Sequence, residues 1–146
     1  MCSKMIHNKV HTILFFLFFL GFKLYGETSI KIIDNYVKKP LKGIDSTAAY
    51  FEVVNTSKNK ITLRDIKCEG VTMTSFHKME MNSESKLMRM KSLKSIELAP
   101  NSIRKFSPMQ EHIMMMGLAD DFKRQNKVIC TLYANDNEII WSFPLK

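Results

Sequence analysis

The chain has 146 residues, enough for one domain, and a formal charge of +8 from 22 Lys/Arg against 14 Asp/Glu. The basic residues are scattered rather than interleaved with aromatics, which excludes a nucleic-acid footprint clustered on one face. No Ser/His/acid set or paired-carboxylate spacing stands out, so the sequence reads as a non-enzyme.

Met1 to His11 is polar and basic, and Thr12 to Phe22 is an apolar run of about a dozen residues. That run is shorter than the roughly 20 residues of a membrane span. It fits the apolar region of a secretory signal peptide, so residues 1–26 read as a leader and 27–146 as the mature domain. An uncleaved anchor is the alternative. Cys2 precedes the apolar run, so it is not the acylated cysteine of a lipoprotein. The chain is therefore expected to be exported, with no stable membrane span after processing.

Export leaves two cysteines, Cys68 and Cys130, 62 positions apart and without a CxxC neighbour. A thiol redox motif or compact zinc site is therefore unsupported. One disulfide across the domain and two buried thiols are both open readings.

From Thr28 onward the chain reads as short strands separated by turn signals. SIKIIDNYV is followed by turn residues Pro40 and Gly43, then by a strand over Ala48–Asn55. ITLRDIKC, VTMTSFHKMEM and KLMRMKSL follow, the last two joined by an Asn-Ser-Glu-Ser tip. SIELAPNSIRKFS turns at Pro100-Asn101, and His112–Leu118 is a short strand. AlaAspAspPheLysArg after Leu118 reads as a short helical or polar segment, and KVICTLYAND and NEIIWSFPLK form a closing hairpin. Regular short strands of this kind predict an all-β antiparallel β-sandwich.

Chemistry concentrates in one stretch. Nine of the eleven methionines fall between Met73 and Met116, as do both mature-chain histidines, His77 and His112. Strand side chains alternate faces. His77, Met79 and Met81 therefore share one face, Met88 and Met90 another, and His112, Met114 and Met116 a third. Methionines are good core filler, and a secreted interaction module with a Met-rich core is one reading. Two His-x-Met triplets that use every mature-chain histidine favour metal ligation instead. Imidazoles and thioethers without a thiolate suit Cu(I), and the lack of a cysteine ligand argues against a blue-copper electron-transfer centre.

The spacing resembles that of the PCuAC-type periplasmic copper chaperones, whose motif runs His, Met, 21 residues, then His-x-Met. Here 21 residues separate Met90 from His112, and His112-Ile113-Met114 follows. AAYFEVVN, FHKM, LMRMKSL and HIMMMGL also resemble segments of that family, over roughly Ile30 to Lys146. The resemblance implies a cupredoxin-like Greek-key sandwich, Cu(I) exposed at one end and bound by His77, Met90, His112 and Met114. It further implies a monomer that delivers copper to a respiratory oxidase subunit, at its CuA centre, or to another periplasmic copper protein. Copper storage with extra methionine sites is the alternative role.

Two departures from the family pattern matter. The 12 residues between His77 and Met90 make the intervening hairpin about two residues longer, which makes Met88 a rival ligand. Ser107-Pro108-Met109-Gln110-Glu111 stands where the family has a glycine-rich turn.

Overall fold

Alternation between core and solvent shapes the fold strand by strand. The computed structural model describes residues 29–146; the proposed leader lies outside them. In β2 (Ser46–Asn55) every second residue, from Thr47 to Asn55, is buried. Such a strand covers a core with one face only.

The described residues form ten strands, the other nine being β1 (Ile30–Val37), β3 (Ile61–Cys68), β4 (Val71–Met81), β5 (Met88–Leu93), β6 (Ile96–Leu98), β7 (Ser102–Phe106), β8 (Glu111–Leu118), β9 (Lys127–Ala134) and β10 (Asn137–Pro144). They make two antiparallel sheets. One has the order β1-β2-β8-β4-β5, with β7 also pairing with β2; the other runs β10-β9-β3-β6. The expected all-β sandwich is present.

The inner faces meet in an apolar core. Phe51 stacks on Phe106 at 4.3 Å between ring centroids and meets Phe143 edge-on at 5.7 Å. Phe76, Ile113 and Met115 contribute from β4 and β8. The expected segment after Leu118 is a single 3-10 turn, Phe122–Arg124, whose Phe122 is fully buried. Met115 is 0% exposed, whereas Met73, Met81, Met88, Met90 and Met109 are exposed. The methionine strip is therefore not core, because its strand parity is opposite to that of Phe76, Ile113 and Met115.

Cys68 and Cys130 are direct cross-strand partners on β3 and β9 and form a disulfide. This decides between the two open cysteine readings. It also removes both thiols from metal chemistry.

In β1 the buried positions change parity, from Ile30 and Ile32 to Val37. A bulge accounts for it: pairing slips between Ile33 and Tyr36, and Asp34 adopts φ 48°. The extra residue re-aims Tyr36, a common use of bulges, and sets it opposite Tyr50. Asn55 closes β2 as a buried polar post. Its amide donates to the carbonyls of Asn59 and Ala99, and its Oδ1 accepts from the backbone N–H and hydroxyl of Ser57.

Candidate metal centre

His77 on β4 and His112 on β8 are direct cross-strand partners. Their ring centroids lie 6.0 Å apart with 39° between the planes. Imidazole–metal bonds of about 2 Å make that separation suitable for two rings facing one ion. Both side chains point away from Phe76 and Ile113, so they stand on the outward face of the larger sheet. His77 is half-buried and His112 only 5% exposed.

Among the described residues the hydrogen bonds leave one nitrogen free on each ring. His112 Nδ1 lies 3.2 Å from the Gln110 carbonyl. A carbonyl only accepts, so Nδ1 carries the proton and the Nε2 lone pair is left for a metal, the carbonyl holding the ring's tautomer and orientation. His77 Nε2 is 2.8 Å from Ser75 Oγ, and its buried Nδ1 has no partner. Burial, with a smaller contribution from the neighbouring His112, lowers the His77 pKa below the usual imidazole value. Both effects favour the neutral ring that a metal needs.

The β7–β8 turn sets this geometry. Gln110 N–H bonds the Ser107 carbonyl at 3.1 Å, and Met109 takes a left-handed φ of 65°. A glycine would meet that conformation without strain; here Met109 holds it. The Gln110 carbonyl accepts from both His112 Nδ1–H and the Met79 backbone N–H, each at 3.2 Å. Glu111, next to His112, receives two bonds from the Arg104 guanidinium at 2.6 and 2.7 Å.

Thioethers surround the imidazole pair on the same face. Met114 lies opposite Ser75, one rung from His77 towards the start of β4. Met79 and Met90 face each other one rung the other way, and Met81 and Met88 one rung further out. Met90 is thus the diagonal neighbour of His77 across the β4–β5 ladder. Met88 stands about 14 Å along the strands from the histidine rung, at about 3.4 Å per residue. Among the described residues no group of three or more His, Cys, Asp and Glu side chains could hold a metal. The available donor set is two imidazoles and several thioethers, a combination matched to a soft ion.

The family profile of LpqE-like lipoproteins matches residues 30–140. The chain belongs to the LpqE-like (PCuAC) family. A search of curated proteins gave no significant match. Among solved structures, the copper-bound PCuAC domain from PmoF2 is similar at TM-score 0.67 and 20% identity, covering 84% of this chain and 96% of that one. The apo PCuAC domain from PmoF1 gives 0.67 at 14% identity, covering 84% and 97%. CuI-DR1885 from Deinococcus radiodurans gives 0.63 at 21% identity, covering 84% and 83%. At these identities the likeness establishes the cupredoxin-like fold.

Within this LpqE-like chain the four sequence-derived ligand candidates, His77, Met90, His112 and Met114, lie on one face of three adjacent strands. Sequence reasoning passed over their supports, Ser75, Gln110 and Tyr50. Tyr50 lies 6.4 Å from His112 between ring centroids and 5.2 Å from Tyr36, forming an aromatic wall beside the centre. Desolvation by burial, then the neighbouring Tyr36, raises the Tyr50 pKa, so its hydroxyl stays neutral. The AAYFEVVN segment marked that tyrosine, but only the β2–β8 pairing places it.

Proposed function

We propose that this protein is an exported Cu(I) metallochaperone that binds the ion through His77, Met90, His112 and Met114. The observation that carries this reading is the opposed His77–His112 pair on an outward face, each ring with one nitrogen unpartnered among the described residues and thioethers on the adjoining rungs. Two imidazoles and two thioethers suit Cu(I) over harder ions. The lack of a thiolate favours release to an acceptor. The similar domains from PmoF2 and Deinococcus radiodurans are described as copper-bound and CuI forms, which supports copper as the cargo. The Cys68–Cys130 disulfide suits an oxidising compartment, in keeping with the leader read over residues 1–26. Delivery to the CuA centre of cytochrome c oxidase is the proposed destination.

Transfer is tested by mixing Cu(I)-loaded protein with an apo CuA domain and following the metal after separation. Copper on the acceptor supports delivery. Copper retained by this protein, with no loss to the acceptor over hours, favours storage. The outward methionine rows motivate that second reading.

A further inference from the structure

The β4–β5 hairpin extends past the sandwich. Pairing between β4 and β8 ends at Lys78 and Glu111, and beyond it the ribbon continues through the Met79–Met90, Glu80–Arg89 and Met81–Met88 rungs. One face of this ribbon carries Met79, Met81, Met88 and Met90. The other carries Lys78, Glu80, Arg89 and Lys91, with Glu80 within 4 Å of both lysines at 3.8 and 3.6 Å. Met81 is 63% exposed and Met88 41%.

At the outer rung, where Met81 and Met88 are both exposed, the ribbon has no packing demand for apolar residues. Two methionines facing each other there call for a chemical explanation. The tip is ordered: Asn82 Oδ1 accepts from Glu84 and Ser85 N–H, and the Asn82 and Lys86 N–H groups bond back across it. This fixes Met81 opposite Met88. Cβ atoms of facing residues lie about 5 Å apart, and metal–sulphur bonds are about 2.3 Å, so both thioethers reach one ion between them. The His77 rung is too distant to share that ion.

We propose that Met81 and Met88 form a second soft-metal site, a thioether pair that captures Cu(I) and passes it through the Met79–Met90 rung to the His77–His112 centre. The passage rests on the proposed copper role; capture by the pair does not. The pair lacks nitrogen donors and is open to solvent, so it binds more weakly and exchanges faster than the inner centre.

The probe is Ag(I), a redox-stable ion of similar softness, added to protein carrying 13C-methyl methionine. Native mass spectrometry counts the ions. Two Ag(I) are expected in the wild type, with the Met114 methyl resonance shifting first and the Met81 and Met88 resonances second. Met81→Leu/Met88→Leu, isosteric and exposed, should bind one Ag(I) with the Met114 shift retained, and should load Cu(I) several-fold more slowly. A wild type in which Met114 shifts but Met81 and Met88 do not, through two equivalents, overturns this inference alone. A wild type in which Met81 and Met88 shift but Met114 does not leaves the pair standing and contradicts the proposed function. No shift at any methionine overturns both.

Discussion

Replacing both disulfide cysteines, Cys68→Ala/Cys130→Ala, should destabilise the domain strongly while sparing the metal centre. The bridge closes a segment of 62 residues between the paired strands β3 and β9. Chain-entropy arguments put the stabilisation from closing a segment of that length at about 4 kcal/mol at 25 °C. For a domain of this size about 4 °C of melting temperature corresponds to each kcal/mol, so the variant should melt roughly 15 °C lower. Thermal unfolding followed by circular dichroism reads this directly, with dithiothreitol-treated wild type as a second route to the reduced state. His77 and His112 stand on the other sheet, so Cu(I) affinity at 20 °C should be unchanged where the variant remains folded. A fall of less than about 5 °C would refute the loop-closure reasoning, and a loss of copper binding by a folded variant would refute the separation of bridge and centre.

Further outcomes follow from other parts of the molecule. Asn55→Ala should lower stability by about 1–3 kcal/mol in a urea titration, because the carbonyls of Asn59 and Ala99 and the N–H of Ser57 lose their partner. Met90→Leu should weaken Cu(I) binding at the inner centre, measured by chelator competition, while Met88→Leu should leave that first equivalent intact; the reverse pattern would shift the site by one rung. The His77 pKa is lowered by burial and then by His112, so the folded state binds its proton less readily than the unfolded state. The sign follows: this contribution to stability is complete above the unfolded value of about 6.5 and is lost as pH falls from there through the lower folded value. Copper affinity should decline in the same direction, with His77 remaining neutral to lower pH than a free imidazole. A pH titration of the His77 ring protons by NMR checks both.

The strand face of each candidate ligand was legible because parity within a strand is local. His77, Met79 and Met81 share a face whatever pairs with β4. The β4–β5 ladder was nearly countable too, since one hairpin joins the strands and the pairing of Met79 with Met90 follows from its length. What lay beyond the sequence was non-local. Nothing in the chain order announces that β8 inserts between β2 and β4, the arrangement that opposes His112 to His77 and brings Tyr50 alongside. The Cys68–Cys130 bridge likewise depends on the β3–β9 register. The Asp34 bulge changes parity at one residue that carries no glycine to signal it. The methionines were ambiguous one by one because Met serves core and ligand roles equally well; burial separated Met115 from the rest.

The most direct test of the account is copper K-edge X-ray absorption of the protein loaded with one equivalent of Cu(I). The account predicts a mixed shell of imidazole nitrogen and thioether sulphur, with the outer-shell imidazole scattering lost in His77→Ala/His112→Ala. A first equivalent bound by sulphur alone, or a spectrum unchanged by the double substitution, would contradict it.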